Sequence, residues 1–180
     1  MDSIRVQRMF RQSPYLLIMR TRYKPTKRIL LIAIVILFVL MLLLLGLVTF
    51  DQNIIWFSTL QIPSIQPPSW VFILIWSVLY FLIAISVIIV LDKPKTNKDR
   101  TMTIMLFILN GILSALYSIF FFGMKSVLLA FLELPLLIAS ILLLIWCTYR
   151  VDKKAAYLLV PYLMWICFAT VLTGITLFIN

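Results

Sequence analysis

Side chains able to hold or transform a ligand are few in this sequence, and they are mostly flat. Histidine is absent, and Cys147 and Cys167 stand twenty residues apart with no CxxC spacing. That removes the commonest ligand of haem iron, zinc and copper, and the usual general base at neutral pH. No metal site and no enzymatic acid–base constellation is therefore expected. Aromatic and small polar residues remain. Trp76 and Tyr80 are four residues apart, which places both rings on one flank of a helix with Ile73 and Ser77. Tyr162, Trp165, Ala169 and Thr173 share a second helical face on which large rings sit beside small residues. Thr103, Asn110, Ser114, Tyr117 and Phe121 fall within about 40° of one direction at 100° per residue, a polar and aromatic stripe. Flat rings beside small side chains form a slot. Such a slot suits a planar conjugated molecule through stacking, about 0.5–1.5 kcal/mol per ring pair beyond the area buried.

The elements that must position these residues follow from composition. Of 180 residues, 64% are hydrophobic and 12% charged, far from the half-apolar, quarter-charged mix of soluble domains. A hydrocarbon core about 30 Å thick requires roughly 20 consecutive apolar residues. Runs of that length occur at about 29–50, 69–91, 101–122, 126–149 and 155–179. The expected fold class is all-α, an integral membrane bundle of five transmembrane helices occupying residues 29–180. The run at 29–50 is too long for a signal-peptide core and no A-x-A cleavage site follows it, so it reads as a retained helix.

The net charge of +10 does not point to nucleic acid, because the cations lie between apolar runs with few aromatics interleaved. Eight of the sixteen basic residues lie in the tail at 1–28, four between Asp92 and Arg100, and three between Arg150 and Lys154. Only Lys125 falls on the other side. The positive-inside rule then places the N-terminus in the cytoplasm and Asn180 outside, which requires an odd number of spans. Anionic lipid headgroups are the expected partners of the tail. A short interfacial helix ending near Pro14 and a solvated tail are both compatible with its pattern.

Three further features belong to the spans. Gly111 and Ala115 form a small-xxx-small pair that permits close backbone approach, either at a dimer interface or inside one bundle. Glu133 is an acid inside a span, either a functional group or a carboxylate that reaches water or Lys125 near a helix N-terminus. Pro161 would kink the fifth span and widen a cavity.

Three stretches carry a resemblance. PPSWVFILIWSVLY (Pro67 to Tyr80), FFFGMKSVLLAFLELPLL (Phe120 to Leu137) and AAYLLVPYLMWICFATVL (Ala155 to Leu172) resemble the tryptophan-rich sensory protein or translocator protein family, TspO/MBR, over about Asp51 to Asn180. The resemblance implies a five-helix bundle, usually a homodimer, that binds porphyrins such as protoporphyrin IX and, in animal members, cholesterol and benzodiazepine-like drugs. It implies lid aromatics at Trp56 and Phe57, pocket tryptophans at Trp76 and Trp165, and a polar contact from Asn110. Tyr80, Ser114, Tyr117, Ala169 and Thr173 complete the expected ligand-binding set, with Gly111 and Ala115 at the dimer interface. Ser114 and Thr173 stand where many members have Asn. Ala115 and Tyr117 lie where animal members are Trp-rich, and the cholesterol pattern of animal members is missing because Gly174 to Asn180 contains no Tyr, Lys or Arg.

The function expected on these grounds is a membrane receptor or sensor for porphyrin-type tetrapyrroles, with no cofactor, in a bacterial cell membrane. Two other readings stand beside it. One is light-driven porphyrin breakdown through tryptophan radicals, which the residues permit but no acid, base or metal set supports. The other is transport of a tetrapyrrole or lipid, against which stands the lack of an inverted repeat.

Overall fold

The computed structural model describes residues 54–94 and 98–180. The expected tail at 1–28 and first span at 29–50 lie outside the described residues. Every regular element among these is helical: α1 (Ile54–Thr59), α2 (Ser69–Leu91), α3 (Lys98–Ser118) with a π-helical turn at its end (Ile119–Gly123), α4 (Val127–Val151), α5 (Lys153–Tyr157) and α6 (Val160–Ile179). Four stretches are long and apolar enough to cross a membrane: Ser69–Leu91, Lys98–Gly123, Val127–Val151 and Lys153–Ile179. The protein is an all-helical, multi-pass integral membrane protein.

Local chemistry sets the helix ends. Pro68 directly precedes α2 and lacks an N–H that would need a partner there. Asp99 lies in the first turn of α3, where a negative charge meets the positive end of the helix dipole. The Ser126 side chain accepts a hydrogen bond from Leu129 N (3.3 Å) at the start of α4. The third span closes with a wider turn in which Met124 N donates to Ile119 O, five residues back, at 2.7 Å. Lys125 then takes a left-handed conformation (φ 53°), and Ser126 N donates to Phe120 O (3.0 Å), which satisfies the last carbonyls.

The fifth span departs from expectation. It is divided into α5 and α6 by a break at Leu158 and Leu159, and Pro161 sits in the first turn of α6. A proline there gives up no intrahelical bond, so it starts a helix instead of kinking one.

Packing is carried by a main apolar core, a smaller cluster of Phe121, Val127 and Ala130, and a few buried hydrogen bonds. Leu79 of α2, Leu134, Leu137 and Ile141 of α4, and Tyr162, Trp165 and Ile166 of α6 form the centre. Asn110 Nδ2 donates to Ser140 Oγ (2.8 Å), joining α3 to α4, and Ser86 Oγ donates to Ala155 O (2.9 Å), joining α2 to α5. Thr103, Thr170 and Thr176 return their hydroxyls to the carbonyl four residues back, which spares lipid an unpaired donor. Gly111 is buried within the chain. Ala115, the other member of the small-xxx-small pair, is half-buried.

One ion pair ties the loops at the basic end. Lys93 Nζ donates to Asp152 Oδ2 at 2.6 Å, and Asp152 Oδ1 caps α5 by accepting from Lys154 N (2.9 Å) and Ala155 N (3.1 Å). The hydrogen bond from Lys93 and the cap from Ala155 hold the Asp152 carboxyl below the usual carboxylate range. A carboxylate with a lowered folded-state pKa stabilises above its unfolded value, about 3.9, and that contribution is lost as pH falls through the folded value. Asp152→Asn keeps a capping oxygen but removes the charge paired with Lys93, so it should lower the thermal unfolding midpoint at pH 7 by the equivalent of about 0.2–1 kcal/mol. The gap from wild type, followed by thermal unfolding across pH, should close only in acid below that range.

Candidate ligand-binding site

A cavity of about 200 Å³ lies among α2, the end of α3, α4 and α6, with Phe57 of α1 and Gln66 of the following loop on its wall. Rings from separate helices surround it. Trp76 stacks on Tyr80 (centroids 5.3 Å, planes 29° apart) and meets Tyr162 edge-on at 6.3 Å. Trp165 meets Phe72 edge-on at 5.4 Å and tilts against Phe168 at the same distance. Tyr117 stacks on Phe121 at 5.8 Å and 19°. Polar groups are few. Thr173 Oγ1 donates to Ala169 O (2.8 Å), which leaves it to accept from the Tyr117 hydroxyl at 3.0 Å. Trp165 Nε1 is buried with no acceptor in reach.

Of the ten residues in the expected ligand-binding set, Phe57, Trp76, Tyr80, Ser114, Tyr117, Trp165, Ala169 and Thr173 line the cavity. Two do not. Asn110 is turned to Ser140 in the α3–α4 seam, so its amide is spent on helix packing and makes no contact with the cavity. Trp56 packs edge-on against Phe121 at 5.7 Å, behind the wall that Phe57 reaches. The stripe on α3 thus splits along its length: Thr103 is buried and bonds within its own helix, Asn110 bonds across to α4, and Ser114, Tyr117 and Phe121 face the space.

Several lining residues escaped the sequence reading. Phe72 continues the i, i+4 series of Trp76 and Tyr80, and Thr176 lies one turn beyond Thr173; extending each stripe finds them. Leu134, Leu137, Ile166 and Leu172 carry no such signal, because a cavity-facing leucine reads the same as a lipid-facing one. Gln66, in the loop, and Ser69, the first residue of α2, lie where no helical periodicity is yet established.

Glu133 lies outside the lining set. It is buried with 5% exposure, and neither carboxyl oxygen has a hydrogen-bond partner. The expected reach to water or to Lys125 is not made, because Glu133 is beyond the first turn of α4 and faces inward. Cys147 is buried and Cys167 exposed, both free.

The mouth is covered from one side. Phe57 packs against Phe121 (6.3 Å) and Phe122 (6.2 Å), and Leu60 joins the same cluster. The loop after α1 is fastened to the end of α6 by a two-way contact: Gln61 N donates to Asn180 Oδ1 (2.8 Å), and Asn180 Nδ2 donates to Gln61 O (3.0 Å).

Residues 32–177 match the TspO/MBR family. The chain belongs to that family. Among its relatives, the tryptophan-rich protein TspO of Bacillus cereus is 37% identical over 137 residues, covering 74% of this chain and 86% of the relative. The protein of the same name from Chlorobaculum tepidum is 34% identical, covering 69% and 79%, and the translocator protein of Ovis aries is 31% identical, covering 65% and 70%. These alignments are long enough to take in most of a TspO/MBR chain. The ring-lined cavity lies within the family-matched residues, since all its walls fall between positions 57 and 176.

Proposed function

We propose that this TspO/MBR protein is a membrane receptor that takes a porphyrin-type tetrapyrrole, such as protoporphyrin IX, into the cavity between α2, α3, α4 and α6. The observation that carries this reading is the convergence of Trp76, Tyr80, Tyr117 and Trp165 from three helices on one apolar space. Stacking on these rings rewards a flat conjugated guest, and the few polar groups among them leave nothing for a highly charged one. The sequence contains no histidine, the commonest axial ligand of haem iron, which favours a metal-free macrocycle. Relatives are named a tryptophan-rich sensory protein in Cereibacter sphaeroides and translocator proteins in Ovis aries and Sus scrofa, names that fit a sensing or translocating role.

The size of the cavity imposes a step. Ligand sites for drug-sized molecules run about 300–1,000 Å³, so a macrocycle enters a space of about 200 Å³ only when the segment carrying Phe57 and Gln66 moves away. That segment is the lid of the site.

Titrating the purified protein with protoporphyrin IX while following tryptophan emission tests the reading. Saturable quenching at one porphyrin per chain is expected, weakened about tenfold or more when Trp76 and Trp165 are both changed to Phe, as two lost indole contacts imply. Quenching that never saturates, or equal affinity in the double variant, would exclude this site. A porphyrin absorbance band that stays constant under light separates binding from breakdown.

A further inference from the structure

The basic end of α4 carries an arrangement that the receptor reading does not use. Leu142, Trp146 and Arg150 recur every four residues on one stripe, with Leu143 and Tyr149 flanking it. The apolar members face outward: Leu142, Leu143 and Trp146 are each about half exposed. At the end of this stripe the guanidinium carbon of Arg150 lies 3.8 Å from the Trp146 ring centroid. Lys153 Nζ lies 5.4 Å from the Tyr149 ring, and Tyr157 braces Tyr149 edge-on at 6.4 Å and 89°.

Among the described residues, neither Arg150 nor Lys153 is paired with a carboxylate. The nearest acid in sequence, Asp152, is occupied by Lys93 and by the cap of α5. A guanidinium stacked on an indole uses its face and leaves its in-plane N–H groups free, the edge that binds phosphate through two parallel hydrogen bonds. The ring contacts hold both cations in place before any ligand arrives, so less side-chain entropy is lost on binding.

We propose that this face of α4 and the α4–α5 junction binds one anionic phospholipid, with its phosphate between Arg150 and Lys153 and an acyl chain along Leu142 and Leu143. The order of the residues selects the partner. A soluble anion could use the cations but would leave the exposed leucines and Trp146 unmatched, whereas an anionic lipid meets both in the sequence in which they occur. Indole and phenol rings at this level suit the headgroup boundary of a bilayer. The site lies at the opposite end of α4 from the lid.

The test uses the full chain in mixed phosphatidylglycerol and phosphatidylcholine micelles, with native mass spectrometry counting retained lipids. Wild type should retain phosphatidylglycerol preferentially, and the Arg150→Gln, Lys153→Gln double variant should lose at least about tenfold of that preference, as removing two basic residues near a membrane surface implies. Arg150→Lys, which keeps the charge but not the planar fork, should lose part of it, and Lys98→Gln, an exposed cation with no aromatic ring beneath it among the described residues, should lose little. Equal retention of the two lipids by wild type overturns the proposal. So does an unchanged preference in the double variant, or an equal loss in Lys98→Gln, which would reduce the effect to net charge.

Discussion

Ala169→Phe should abolish saturable binding of protoporphyrin IX while leaving the fold intact. Ala169 lines the cavity one turn from both Trp165 and Thr173. A benzyl group at this position points into existing space, so it fills the slot without the 1–3 kcal/mol strain that overpacking a dense core brings. The guest then has nowhere to stack, and affinity should fall about 100-fold or more, nearly 3 kcal/mol. Fluorescence titration and a thermal unfolding curve on the same sample read both halves of the expectation. A variant that binds as wild type does would show that the cavity is not where porphyrin goes.

Tyr162→Ala should destabilise the bundle strongly. Tyr162 has 2% exposure, stands in the central cluster and meets the Trp76 ring at 6.3 Å. In a membrane the usual transfer contribution fades, since lipid tails are as apolar as the protein interior, and packing is what remains. Vacating on the order of 100 Å³ at about 24 cal/mol per Å³ amounts to about 2–3 kcal/mol. Thermal unfolding in detergent should register this as a large drop in midpoint, against little change for Tyr157→Ala, whose ring is 64% exposed. Similar midpoints for the two variants would contradict the packing described here.

Much of this architecture could be read from the chain because membrane helices are punctuated plainly. Pro68, the charged segment from Asp92 to Arg100 and the capping Asp152 bound apolar runs that have few other ways to fold. The rotation of each helix was legible only where a residue type stood out against leucine and isoleucine. Trp76, Tyr80 and Trp165 did, and they line the cavity; Leu134 and Leu137 did not, although they line it too. Asn110 shows the limit of the method. An angular stripe about 40° wide cannot separate a seam between helices from the wall of a cavity, and what decides the matter is Ser140, thirty residues away. Glu133 was misplaced for a related reason: nothing in its neighbours along the chain tells whether a carboxylate faces water or the bundle. The break before Pro161 was missed because proline both starts helices and bends them.

The fastening between Gln61 and Asn180 distributes chemical demand unequally between its two ends. Asn180 holds the peptide group of residue 61 through that residue's N–H and carbonyl, so any amino acid except proline can stand there and be gripped just as well. The covering segment can therefore exchange the side chains it shows to a guest without losing its tether, whereas residue 180 must keep a carboxamide.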